Sequence, residues 1–260
     1  MPNRRLSYRA QPRAFTGSFL ILLSSGLTGC SIKTPYINAR QWPTTKGATY
    51  YRDVSPFRVG VLPLVDQRPI HEQHGKRPGG TFLLLWNRRV GDYYTGDHVF
   101  GGQVPVALTG QVIEYLQASH VFVEALPVTP SDAFNPAIAE HVSRVGRDAV
   151  VDYLLRGEIQ HFFGSQSQHT SIYLLPLYFV STFGWQDSKS LPWGKTSIRF
   201  TLYDGRTGDI LWGRLEEANH TMPRDTDAMS EAAMESFTTA AGQLTVDLRE
   251  FSLQQSRQGQ

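Results

Sequence analysis

The chain has 260 residues, of which 40% are hydrophobic and 18% charged, so it can bury a core, and disorder throughout or a fibrous fold is excluded. Its formal net charge is +2, but residues 1–29 contain four arginines and no acidic residue. The remaining chain has 21 basic and 23 acidic residues, a net charge of −2, which leaves no basic footprint for nucleic acid.

The amino terminus has the pattern of a secretory signal peptide. Residues 1–13 are polar and arginine-rich, and residues 14–29 form a short apolar stretch that ends in small residues. This stretch is shorter than the ~18–20 apolar residues that span a bilayer comfortably, so a permanent transmembrane helix is the weaker interpretation. We therefore expect residues 1–29 to be a signal peptide that is cleaved on export.

Residues 27–30, Leu-Thr-Gly-Cys, resemble the lipobox of bacterial lipoproteins, in which an aliphatic and two small residues precede the lipidated cysteine. Cys30 is the only cysteine, so it cannot form an internal disulfide. The resemblance implies a diacylglyceryl thioether on Cys30, cleavage before it, and acylation of the new amino group, typically with palmitate. Serine rather than aspartate at position 31 implies sorting to the outer membrane of a Gram-negative host. An unrelated cysteine after an ordinary signal peptide is the alternative.

Composition divides the mature chain into three parts. Residues 30–49 are polar and contain two prolines, which predicts a lipid-anchored tether that could reach about 65 Å if fully extended. Residues 50–251 carry the periodic apolar patterns of one domain. Residues 252–260 are polar and are predicted to form a disordered tail.

The first half of the domain predicts a strand, a helix and a second strand. Residues 57–65 are nearly all apolar, which suits a strand buried on both faces. Gly101, Gly102 and Pro105 precede a helix, and residues 121–123 form a short strand. The apolar stripe of that helix comprises Leu108, Val112, Tyr115 and Leu116.

The second half predicts a further helix, a strand, a hairpin and a terminal helix. Asn135 and Pro136 are expected to begin the helix and Gly146 to end it, with Ile138, Val142 and Val145 facing inward. A strand over 150–159 follows, and then a hairpin in which Ile198, Phe200 and Leu202 alternate with polar residues. The last helix buries Met229, Ala233, Phe237, Ala240, Leu244, Leu248 and Phe251.

The predicted order is therefore β-α-β-α-β, a β-hairpin and a C-terminal helix. This order is typical of a single α/β domain in which helices pack on a mixed β-sheet.

Three segments of this pattern carry a family resemblance: 59–66, 152–159 and 208–212. The chain resembles the envelope lipoproteins that share the core of the TolB amino-terminal domain. The curli-secretion lipoprotein and the lipoprotein activators of penicillin-binding proteins are similar. The resemblance implies the α/β fold and an envelope location, and two long insertions, 67–103 and 160–195, depart from the minimal core.

Catalytic and metal-binding patterns are weak. His71 and His74 are three residues apart but do not form His-Glu-x-x-His, and nearby basic residues would repel a cation, so a solvated loop is predicted. Asp66 and Asp152 lie beside strands, where turn hydrogen bonds are the commoner role. No Gly-x-Ser-x-Gly nucleophile motif is present. The sequence therefore predicts no cofactor, no metal site and no enzyme.

The most unusual segment is 159–186, where 28 residues contain no Asp, Glu, Lys or Arg. A second apolar segment, 82–86, lies in the first insertion. One interpretation makes both segments additional core, each covering the other. The other predicts an exposed patch for a partner or the membrane interface. The residues of that patch are Leu174, Leu175, Leu177, Tyr178, Phe179, Phe183 and Trp185.

These observations predict a lipoprotein anchored through Cys30 to the periplasmic face of the outer membrane. Its expected role is that of a non-enzymatic accessory or scaffold that binds another envelope protein or a second copy of itself. The alternative is a subunit of an outer-membrane export pore or a lipid-transfer machine. Because residues 172–180 do not alternate apolar with polar, they argue against a pore strand but not against a lipid-binding lip.

Overall fold

Two apolar strands lie side by side at the centre of the sheet in the computed structural model. β1 (Ser55–Val61) pairs in parallel with β5 (Phe122–Pro127) on one side and with β6 (Tyr153–Leu177) on the other. Val59, Val61 and Leu155 are at most 1% exposed, as the predicted strands require.

The structure describes residues 36–43, 48–77, 80–83, 86–131, 134–177, 180–223 and 228–258. At 80–83, 86–90, 170–177, 180–189 and 257–258 it describes the backbone alone.

The sheet continues antiparallel beyond β6. β8 (Trp193–Asp204) pairs with β6, and β9 (Ile210–Thr221) pairs with β8 across the predicted hairpin turn. The two-residue β2 (Val65–Asp66) pairs in parallel with β6 beyond the end of β1. The result is the predicted mixed sheet.

Helices pack on this sheet and close the core. α2 (Val104–Ser119) packs on β5, and α4 (Met229–Gln258) packs on β6, β8 and β9. α1 (Ile70–His74) and α3 (Ala139–Ala149) are shorter and contact β6. The predicted inward faces of α2 and α4 are confirmed, since every residue named for them is buried. The fold class is therefore as predicted, a single α/β domain.

The start of α3 differs from the prediction. The helix begins at Ala139, and the side chain of Asn135 accepts a hydrogen bond from the backbone N of Ala137 at 3.0 Å. Asn135 thus caps a turn that precedes the helix instead of the helix itself. Ile138 was predicted to face inward but is 42% exposed, because it precedes the first helical turn.

The end of α3 also differs. Gly146 was predicted to end the helix, but the helix continues to Ala149, and Val150 adopts the left-handed conformation with φ 55°. A Cβ at position 146 would overlap the carbonyl oxygen of Gly205 in the β8–β9 turn. Glycine is therefore needed for close packing between helix and turn.

Both predicted unstructured ends are wrong in part. α4 continues to Gln258, so residues 252–258 are helical and not a disordered tail. Residues 36–43, predicted as tether, pack on the domain. Ala39 is fully buried, and Trp42 Nε1 donates a hydrogen bond to Thr238 Oγ1 of α4 at 3.1 Å.

The insertion 160–195, predicted as a long connection, is β-structure. β6 continues for 25 residues, and residues 165–173 pair with β4 (Trp86–Tyr94) on one side. On the other side, residues 168–177 pair with β7 (Val180–Lys189). β3 (Gly80–Leu83) adds a fourth strand beside β4. We call β3, β4, residues 165–177 of β6, and β7 the arm. At ~3.3 Å per residue, residues 165–177 extend over about 43 Å.

Candidate functional site

The predicted lipidation site and signal peptide lie outside the described residues. Lipidation of Cys30 therefore stays a prediction. Among the helices that the structure describes, none is both long enough and apolar enough to span a bilayer.

Five of the seven predicted patch residues lie on one hairpin of the arm. Leu174, Leu175 and Leu177 are in β6, whereas Phe183 and Trp185 are in β7. Leu174 is directly opposite Phe183 in the antiparallel register. Tyr178 and Phe179 lie outside the described residues. The hairpin thus brings together residues that the sequence grouped only by composition.

The second apolar segment joins the same end of the arm. Leu83 is opposite Trp86 in the β3–β4 pair, and Trp86 is opposite Tyr173 in the β4–β6 pair. The pair of Leu83 with Trp86 and the pair of Leu177 with Val180 therefore lie at the same end of the arm, which we call the arm tip. The sequence contains both apolar segments but no sign that they are neighbours, because about 90 residues separate them.

A buried ionic network lies at the other end of the arm. The side chain of Arg68 is fully buried and donates to both carboxylate oxygens of Asp66, at 2.9 and 2.7 Å. It also donates to both carboxylate oxygens of Asp97, at 2.9 and 3.1 Å. Burial alone would raise the pKa of Asp66, but the hydrogen bonds and charge of Arg68 hold that pKa below its ordinary value. The predicted turn role of Asp66 is therefore part of a larger ion cluster.

A second buried acid fixes β6 beside this network. Glu72 is 2% exposed, and its carboxylate is 2.8 Å from His161 Nδ1 and accepts from the backbone N of Phe162 at 3.3 Å. Thr95 and Gly164 exchange two hydrogen bonds where β4 ends. These contacts tie α1 and the residues after β4 to β6, so the base of the arm has a defined attachment to the domain.

The structure also shows where the weak candidates for catalysis and metal binding lie. His71 and His74 are exposed on α1 rather than in a loop. Asp152 accepts from the backbone N of Arg58 in β1 at 3.0 Å, a bond between distant segments instead of the predicted turn hydrogen bond. Within the described ranges, no group of three or more His, Cys, Asp or Glu residues could hold a metal ion.

One cleft was not anticipated from the sequence. It has a volume of about 350 Å³ and lies between the end of β5 and α3. Its walls include the apolar residues Val128, Phe134 and Val145 together with His141 and Arg144. These residues come from two neighbouring segments, 126–134 and 141–149, and no periodic pattern in them indicated a cleft.

No family model and no curated protein matches this chain. Several solved structures are similar in fold. A DUF330 protein from Xanthomonas campestris is 14% identical, with a TM-score of 0.47, and the match covers 81% of this chain and 94% of that one. A PelC dodecamer from Paraburkholderia phytofirmans is 11% identical, with a TM-score of 0.37, over 76% of this chain and 94% of the PelC chain.

A third similar structure is lipoprotein GNA1162 from Neisseria meningitidis, which is 9% identical with a TM-score of 0.32. That match covers 69% of this chain and 92% of the lipoprotein. With TM-scores this low, none of these similarities transfers a function to this chain. The particular resemblance to TolB-like lipoproteins that the sequence suggested stays a prediction.

Proposed function

We propose that this protein is a lipoprotein of the bacterial envelope that is anchored through Cys30 and acts as a non-enzymatic accessory or scaffold. Its location is the periplasmic face of the outer membrane, as the lipobox and Ser31 imply. Its arm binds another envelope component. The observation that carries the binding role is the arm tip, where two apolar segments distant in sequence meet.

The composition of residues 159–186, which include the β6 part of the arm and most of β7, suits a binding surface. Residues 159–186 contain no acidic residue, lysine or arginine, and include several aromatic residues. The centres of protein interfaces are depleted in charge and enriched in aromatic side chains. Among the described strands, β7 pairs with β6 alone, so its outer edge also offers backbone groups to an added strand.

The alternative function is a subunit of an export pore or a lipid-transfer machine. The observation that favours this alternative is the antiparallel pairing of residues 172–177 with residues 180–185, because such a subunit would need a pair of β-strands in this insertion. Crosslinking of the membrane-bound protein distinguishes the two. A ring of identical subunits supports the alternative, whereas a complex with a different envelope protein supports the accessory role.

The anchoring part of the proposal is tested at Cys30. Cys30→Ala should abolish incorporation of acyl chains and leave the signal peptide uncleaved by the lipoprotein signal peptidase. Ser31→Asp is the matched variant, because it should keep the lipid but retain the protein at the inner membrane of a Gram-negative host. Mass spectrometry that finds an unmodified thiol on mature wild-type protein would overturn the anchoring proposal.

The binding part is tested at the arm tip. Leu174→Ser combined with Leu177→Ser should leave the melting temperature nearly unchanged but abolish crosslinking to the partner. The control is Val246→Ser combined with Leu253→Ser on α4, where the two side chains are 42% and 41% exposed. We expect this control to keep the crosslink. If the arm variant instead loses several kcal/mol of stability, its leucines are core and the exposed patch is refuted.

A further inference from the structure

We infer that the chain between the lipid anchor and the domain holds one particular face of the domain, the face around Tyr36, on the surface of an anionic bilayer. This inference rests on the proposed lipidation of Cys30. It concerns an orientation that neither the lipobox nor the arm determines.

The first step is that the amino-terminal segment is docked on the domain. The backbone N of Ile37 donates to the carbonyl oxygen of Val99 at 2.8 Å, and Ala39 is fully buried. Trp42 then bonds to Thr238 on α4 at 3.1 Å. These contacts fix the position at which the chain leaves the domain toward its anchor, next to Tyr36.

The second step is the reach of the remaining link. Tyr36 follows Cys30 by six residues. At no more than ~3.6 Å per residue, the link spans about 20 Å even when fully extended. The domain is therefore held far closer to the anchor than the 65 Å or so that an extended tether would allow. Such a short link cannot let every face of the domain reach the bilayer equally.

The third step is the chemistry of the face around Tyr36. Tyr36 is 65% exposed, and Arg40 in the same docked segment is also exposed. Tyrosine favours the membrane–water interface, and cationic side chains are attracted to anionic headgroups. The neighbouring acid, Asp97, is already bonded to the buried Arg68 at 2.9 Å. The charge and the aromatic residue thus match an anionic phospholipid surface.

The opposite end of the sheet provides a control position. Ile210 is 67% exposed and pairs with Tyr203, which is opposite Leu154 on β6. The face around Tyr36 adjoins the other end of this part of β6, near Gly164, which bonds to Thr95. Ten residues of strand separate the two ends, a distance of about 30 Å. A label at position 210 should therefore remain away from the bilayer.

The experiment uses the full lipidated protein in vesicles of phosphatidylglycerol and phosphatidylcholine that contain a headgroup spin label. Because Cys30 is the only native cysteine and is blocked by lipid, Gln103→Cys or Ile210→Cys provides a single thiol for a fluorophore. Gln103 is exposed and two residues from Gly101, whose Cβ position lies 3.1 Å from Tyr36 Oη. We expect the label at position 103 to be quenched at least twofold more than the label at position 210.

Two further measurements make the result decisive. Insertion of twenty Gly/Ser residues between Ser31 and Thr34 keeps the lipobox and should abolish the difference in quenching. Arg40→Glu should reduce the difference. If wild-type protein floats with the vesicles but both labels are quenched equally, or if the insertion has no effect, the inferred orientation is wrong and the lipid anchor stands. If the protein does not float and carries no lipid, the proposed function itself fails, and the inference fails with it.

Discussion

At the scale of single residues, Glu216 is a buried acid whose pKa is raised well above its ordinary value. It lies on β9, faces Asp247 of α4 and is only 3% exposed. Burial raises the pKa of Glu216 to about 7, and the hydrogen bond and negative charge of Asp247 contribute to the rise, while Arg214 opposes it. Arg214 is 2.7 Å from Asp247 and 3.9 Å from Glu216. The carboxyl of Glu216 is therefore largely protonated in slightly acidic solution.

This pKa predicts a pH-dependent stability. The ordinary pKa is 4.5 and the folded value is about 7, so the unfolded chain releases this proton first as pH rises. The contribution of protonated Glu216 to the free energy of unfolding is therefore complete below pH 4.5 and is lost as pH rises through 7. The lost free energy of unfolding is about 3 kcal/mol. We expect Glu216→Gln to remove this dependence and to be more stable than wild type at pH 8, as measured by urea unfolding from pH 4.5 to 8.5.

Glu217 provides the matched control for that measurement. It is adjacent in β9, but its side chain is 49% exposed and pairs with Lys195 at 3.4 Å. Glu217→Gln should change stability by no more than about 1 kcal/mol at any pH, since exposed ion pairs contribute little. Parallel pH profiles for wild type and Glu216→Gln would contradict the assignment.

At the scale of elements, two helical glycines have opposite roles. Gly146 in α3 packs directly on the backbone of the β8–β9 turn, and a Cβ there would overlap Gly205. Beyond the adjacent turns of α2 itself, no described atom lies within 4 Å of the position that a Cβ would take at Gly110. The same substitution to alanine therefore has opposite expected effects, because helix propensity favours alanine wherever there is space.

We expect Gly110→Ala to stabilise the protein by about 0.5–1 kcal/mol. Gly146→Ala should destabilise it by roughly 1–3 kcal/mol, since the helix or the turn must move. Thermal unfolding of the two variants beside wild type measures both effects. A stabilising Gly146→Ala would mean that α3 does not pack on the turn as described.

At the scale of the whole molecule, the parallel core of β1 and β6 holds the two halves of the chain together. Val59→Ala, Val61→Ala and Leu155→Ala should each cost roughly 1–4 kcal/mol, through lost burial and the cavity that remains. Val123→Ala is the control, because Val123 lies in β5 of the same sheet but is 56% exposed. Wild-type stability of all three core variants in chemical denaturation would show that the strand assignments are wrong.

Sequence reasoning succeeded where burial follows a local period and failed where it depends on a distant partner. Ile198, Phe200 and Leu202 are buried as predicted and alternate with less buried residues, because successive strand residues face opposite sides of the sheet. The arm was missed because residues 160–186 show no alternation, and their pairing with β4 joins segments that are far apart in the chain. The ion cluster of Arg68 was missed for the same reason, since Asp97 is 29 residues away.

The sequence by itself determined the inward faces of α2 and α4 and the central strands, since each is encoded in consecutive residues with a fixed spacing. It also predicts the anchor at Cys30 from the order of residues 27–30. Only the tertiary structure decided that residues 36–43 are docked, that Gly146 lies inside a helix and that two apolar segments meet at the arm tip. The physical reason is that period and composition report whether a residue prefers burial. Which neighbour buries a given residue depends on how distant segments pack. The pKa of Glu216 and the length of the free link to Cys30 both depend on such packing.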